Sequence, residues 1–138
     1  MCLSKDNGSD ANKKIALLFN NANANNIWCK IDSGSARTIP VKLNQWTHLA
    51  LTSNGKLYEN GIDKNISITP GTILTNAYDL IIGGRASAAG ATSTTLEYTG
   101  NISDFRIYAT ALSAAAIKEL YLTSLDTSSG SPKARELE

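Results

Sequence analysis

Short runs of period-two alternation, each closed by a turn, constrain this chain more than any other feature. Ile15, Leu17 and Phe19 alternate with Ala16 and Leu18. Ile27, Cys29 and Ile31 alternate with Trp28, Lys30 and Asp32, and Leu49 and Leu51 with His48, Ala50 and Thr52. Such alternation puts one set of side chains on each face of a strand. Polar stretches at residues 20–26 and 32–37 separate the runs. Short strands at this spacing predict a β-sandwich, not alternating strands and helices.

The middle of the chain reads most clearly. Residues 45–52 read as a strand, Ser53-Asn54-Gly55-Lys56 as a turn and Leu57-Tyr58-Glu59 as the returning strand. Asn60-Gly61 then favours a type I′ hairpin, because both residues tolerate positive φ. The meander continues from Ile62 to Pro70-Gly71, and residues 79–82 form a short apolar strand closed by Gly83-Gly84. Residues 86–95 are small and polar and read as a mobile surface loop. Residues 97–108 read as the last long strand, with Phe105 and Ile107 toward the core and Asp104, Arg106 and Tyr108 on the opposite face. One helix follows. Ser113 is a good N-cap, Leu112 and Ile117 can form a hydrophobic staple, and Ala114, Ala115 and Ala116 favour helix. Ile117, Leu120 and Tyr121 share a face suited to sealing one end of a sandwich. Residues 1–125 are read as one domain and residues 126–138, of linker composition, as a tail.

Composition removes several classes of function. A chain of 138 residues supports one core. The formal net charge of +1 provides no strong field for nucleic acid or an anionic membrane. No apolar run approaches the roughly 18 residues of a membrane helix. The start, Met1-Cys2-Leu3-Ser4-Lys5-Asp6, lacks the basic and apolar regions of a signal peptide, so export would depend on a larger parent protein. Cys2 and Cys29 are either a disulfide or two unrelated small apolar residues. His48 is the one histidine and no paired-cysteine spacing exists, which argues against zinc.

Three segments resemble the laminin-G-like and concanavalin A-like lectin/glucanase family. They are Trp46-Thr47-His48-Leu49-Ala50-Leu51 with Gly55-Lys56-Leu57-Tyr58-Glu59-Asn60-Gly61; Leu80-Ile81-Ile82-Gly83-Gly84; and residues 98–108, closed by Ala111-Leu112-Ser113 and the helix. The resemblance covers residues 40–121. It implies an all-β, two-sheet antiparallel jelly-roll sandwich with one short C-terminal helix. It also implies packing roles for Trp46 and His48, the latter as a satisfied strand histidine. Family members usually begin with one or two further strands. Their absence here predicts exposed sheet edges and a homo-oligomer, most simply a dimer.

No enzyme chemistry is legible. Glycoside cleavage needs two carboxylates roughly 5 to 9.5 Å apart, and no Glu-x-Asp strand cluster exists. A serine triad would have to use His48, without a nucleophile-elbow signature. Asp104 with Arg106 is either a structural ion pair or a ligand-binding pair. No cofactor is expected; Asp6-Asn7-Gly8-Ser9-Asp10 has donors that suit calcium but also the composition of an ordinary turn. Sugar sites combine an aromatic platform with amides and carboxylates. Trp28, Tyr58, Tyr78, Asp79 and Tyr98 are the candidates for ligand binding, each of which could instead cover core or sheet surface. The expectation is a non-catalytic recognition module, for a glycan or surface protein, within a larger secreted, cell-surface or phage-virion protein. The alternatives are an assembly domain acting through sheet edges and a degenerate glycosidase-like domain. Neither nucleic acid nor membrane insertion is expected.

Overall fold

The computed structural model describes residues 3–4, 15–19, 26–31, 36–69, 80–88, 91–93 and 98–128. Strands β1 (Leu3–Ser4), β2 (Ile15–Phe19), β3 (Asn26–Ile31), β4 (Arg37–Pro40) and β8 (Ile81–Ile82) form an antiparallel sheet in the order β4-β3-β2-β1-β8. Strands β5 (Leu49–Leu51), β6 (Lys56–Glu59) and β7 (Ile62–Ser67) form a second antiparallel meander. The core lies between these sheets. Ile27, Cys29, Ile31, Ile39 and Val41 come from the first; Leu57 and Ile68 come from the second or its immediate continuation. Leu49, Leu51 and Ile66 pack around them. Strand β3 shows why the alternation matters: Ile27, Cys29 and Ile31 are buried, while Asn26, Trp28 and Lys30 are half-buried on the other face. Each fully buried aliphatic side chain contributes about 1.5–3 kcal/mol of transfer free energy.

The turns follow local chemistry. Asn60 and Gly61 adopt φ of 52° and 74°, the positive pair that a type I′ turn requires. Between β5 and β6 the buried Thr52 ties the turn together. Its hydroxyl accepts from the Lys56 N–H at 3.2 Å and lies within reach of the Lys56 carbonyl and Asn54 Oδ1. Gly55 N–H donates to the Thr52 carbonyl at 2.9 Å.

Three elements differ from expectation. The strand read over residues 45–52 is confined to Leu49–Leu51, because β6 reaches its turn after Glu59 and offers no further ladder partner. The loop read over residues 86–95 contains a hairpin, with β9 (Arg85–Ala88) antiparallel to β10 (Ala91–Ser93). Residues 98–108 form no strand; Asp104 takes φ of 53°, which breaks the alternation. Phe105 and Ile107 are consequently 42% and 68% exposed instead of buried.

Helix α1 (Ala114–Ser128) starts where the cap signal places it. Ser113 Oγ accepts from the Ala116 N–H at 3.2 Å, and the Ser113 carbonyl accepts from Ile117 N–H at 3.0 Å. The helix then continues three residues into the stretch of linker composition. Ile117 is buried, and the helix sits directly on the β6–β7 turn. A Cβ on Gly61 would lie 3.1 Å from Lys118 Cα and 3.2 Å from Tyr121 Cδ1. Glycine is therefore required twice there, for its positive φ and for the closeness of the helix.

Candidate functional site

A polar groove opens beside this hairpin. Lys42, Gln45, Thr47, Glu59 and Asn60 line it, and its volume is about 210 Å³. Residues 42–47 approach from one side, and the last residue of β6 and its turn form the other. The turn fixes Asn60 by a reciprocal contact with His48. Asn60 N–H donates to the His48 carbonyl, and Asn60 Oδ1 accepts from His48 N–H. Glu59 is fixed from the far strand: Lys64 Nζ donates to its Oε2 at 2.6 Å, with both side chains largely covered. The groove thus presents an ammonium, two carboxamides, a hydroxyl and an ion-paired carboxylate.

A second groove, about 360 Å³, runs along α1 and is lined by Tyr108, Leu112, Ala116, Glu119, Leu120 and Thr123. It is mostly apolar and open.

Of the residues singled out for ligand binding, the described ones, Trp28, Tyr58 and Tyr98, line neither groove. Trp28 stands half-buried on β3, opposite Leu18 of β2 and Thr38 of β4. Tyr58 is 4% exposed, in register with Ala50 and Asp63. Tyr98 is half-buried and its N–H donates to the Gly83 carbonyl at 2.8 Å. Tyr78 and Asp79 lie outside the described residues, as do Cys2 and the Asp6–Asp10 turn considered for calcium. Among the described residues, no group of three or more His, Cys, Asp or Glu could hold a metal ion. No helix among them is long and apolar enough to cross a membrane.

Two packing roles are corrected. Trp46 is 64% exposed: it precedes β5, and no strand among the described residues pairs with it. His48 is not fully satisfied: its Nδ1 is buried without a hydrogen-bond partner among the described residues. Asp104 and Arg106 form an exposed ion pair, Nε to Oδ1 at 2.7 Å. The groove residues escaped sequence reading, although Asn60-Gly61 marked one wall. Lys42 and Gln45 carry no motif of their own, and Thr47 entered only as part of the Trp46–Leu51 segment.

Asp63 holds its carboxyl below the usual carboxylate range, first through its hydrogen bond from Lys56 and then through the Asn65 N–H. That is opposite to the raised value a general acid needs.

A search of curated proteins found no match, and a search of solved structures found none. A laminin-G-type family model matches residues 2–118, which span both sheets and the first turns of α1. The two-sheet antiparallel sandwich, the meander with its Asn60-Gly61 turn and the capped C-terminal helix agree with that match: the chain belongs to the concanavalin A-like lectin/glucanases superfamily.

Proposed function

We propose that this domain is a non-catalytic recognition module that binds carbohydrate, within a larger secreted, cell-surface or virion protein. The observation that carries the reading is the groove of Lys42, Gln45, Thr47, Glu59 and Asn60. Sugar hydroxyls both donate and accept, and this groove offers both kinds of partner, with Asn60 held by its contact with His48 and Glu59 by Lys64. Its volume of about 210 Å³ suits one sugar ring or a chain end, not a long oligosaccharide. Trp46, exposed between Gln45 and Thr47 in sequence, is an aromatic surface close along the chain. Family membership supports a binding domain in general.

A glycan array, run with and without calcium, tests the reading. Binding that is lost in Gln45→Ala and Lys42→Ala supports it. Absence of any glycan ligand, or a ligand held unchanged by both variants, overturns the site.

One observation favours an assembly role as a second reading. Ile102, Phe105, Ile107 and Tyr108 are exposed along a segment with no ladder partner among the described residues. Exposed apolar side chains along a segment outside the ladders of the described residues suit pairing with another chain, including a second copy. Sedimentation equilibrium across a wide concentration range separates the readings: a monomer throughout removes self-assembly.

A further inference from the structure

We propose that His48 is an acid-sensitive latch that holds α1 on the β6–β7 hairpin when neutral and releases it when protonated. The proposal is independent of any ligand in the polar groove. His48 sits where three parts of the fold meet. Its backbone is bonded in both directions to Asn60 of the turn. Its ring lies 5.9 Å, centroid to centroid, from that of Tyr121 on α1, tilted by 43°. Tyr121 and the backbone of Lys118 are also the helix atoms against Gly61. The latch and the turn therefore grip the same stretch of helix.

The buried edge of the half-buried ring favours its neutral form. Nδ1 is buried without a partner among the described residues. A neutral imidazole can leave a lone pair there and carry its proton on Nε2; an imidazolium must place an N–H at Nδ1, where no acceptor waits. Two charges from the 98–108 segment act on the ring. Asp104 favours the imidazolium and Arg106 opposes it. The two are paired at 2.7 Å, and Arg106 offsets part of the larger Asp104 effect. From α1 the facing group is the Tyr121 phenol; from the turn it is the uncharged Asn60. Burial thus dominates and holds His48 below its ordinary value of 6.5.

The sign follows. Below 6.5 the released state takes up a proton before the docked state does. The His48 contribution to docking is therefore fully present above that value and is lost as pH falls from it through the docked-state value.

Because the chain has one histidine, its imidazole C–H resonance in an NMR titration is unambiguous. The expected result for the full chain is a midpoint below 6.5, with amide protection at Ile117, Leu120 and Tyr121 lost on acidification from about pH 7.5 to about pH 5. Protection at Leu57 and Tyr58 should persist. In His48→Phe the helix amides should lose this pH dependence, and in Asp104→Asn they should keep it. A midpoint at or above 6.5, or helix protection indifferent to pH, overturns the latch even where His48→Phe fails to fold.

Discussion

His48 and Asn60 hold each other through two hydrogen bonds: Asn60 N–H to the His48 carbonyl at 2.9 Å, and His48 N–H to Asn60 Oδ1 at 3.0 Å. The first is main chain to main chain and survives most substitutions; the second depends on the carboxamide. Asn60 is also a left-handed residue. Asn60→Gly should therefore lose only the side-chain acceptor, about 0.5–1.5 kcal/mol. Asn60→Ala should cost about 1 kcal/mol more than the glycine variant, because it keeps a Cβ at positive φ without the carboxamide that lets Asn tolerate it. Urea unfolding checks the order; equal costs would show that the turn does not demand the left-handed conformation.

Gly61 and Gly83 offer a matched comparison. Their φ values are 74° and 82°, but a Cβ at Gly83 would meet nothing within 4 Å, whereas one at Gly61 would press on α1. Gly83→Ala should cost only the conformational penalty, about 1–2 kcal/mol. Gly61→Ala should cost more and lower helix content. Thermal unfolding followed by circular dichroism reads both; equal losses would mean that the helix does not bear on the turn.

Burial predicts a sharp contrast between two large apolar residues. Leu57 is completely buried in the core, so Leu57→Ala should lose about 2–5 kcal/mol. Trp46, mostly exposed, should change stability by no more than about 0.5 kcal/mol when replaced by alanine. Denaturant midpoints measure both. A large loss at Trp46 would place that indole in the core after all.

Asp63 predicts an acid-side effect. Its folded value is depressed by the Lys56 hydrogen bond first and the Asn65 N–H second, so its stabilisation is present above the ordinary value of 3.8 and lost as pH falls through the folded one. Asp63→Asn should flatten stability against pH in that acidic window. Because the pair is exposed, the effect should also shrink with added salt. An unaltered pH profile would show that the pair forms no persistent contact in solution.

Incubation with β-glucans and galactans should release no reducing ends. Glu59 and Asp63 are the carboxylates flanking the hairpin, and each is engaged by a lysine. Turnover abolished by changing either one would restore the glycosidase reading.

What could be read from the sequence was local. The Asn60-Gly61 turn, the Ser113 cap and the buried row Ile27, Cys29 and Ile31 each depend on neighbours within a few residues. The polar groove was illegible because Lys42, Gln45 and Thr47 meet Glu59 and Asn60 only after the chain has turned back between β5 and β6. Residues 98–108 misled for a related reason. Alternation states which faces a strand would have, but not whether a partner strand lies beside it, nor that Asp104 turns left-handed midway. Trp46 was likewise misplaced, since nothing local says that the ladder begins only at Leu49.

The seating of α1 on Gly61 also bears on the order in which the chain folds. The β6–β7 hairpin closes over two residues and can form within microseconds, before distant parts of the chain have met. The helix arrives from far along the sequence, and its grip on the turn carries the entropy of closing that long loop. Its contact with Gly61 should therefore form after the rate-limiting step. A substitution there should then leave the refolding rate nearly untouched and appear almost wholly as faster unfolding, so that the last element to dock governs how long the folded domain lasts.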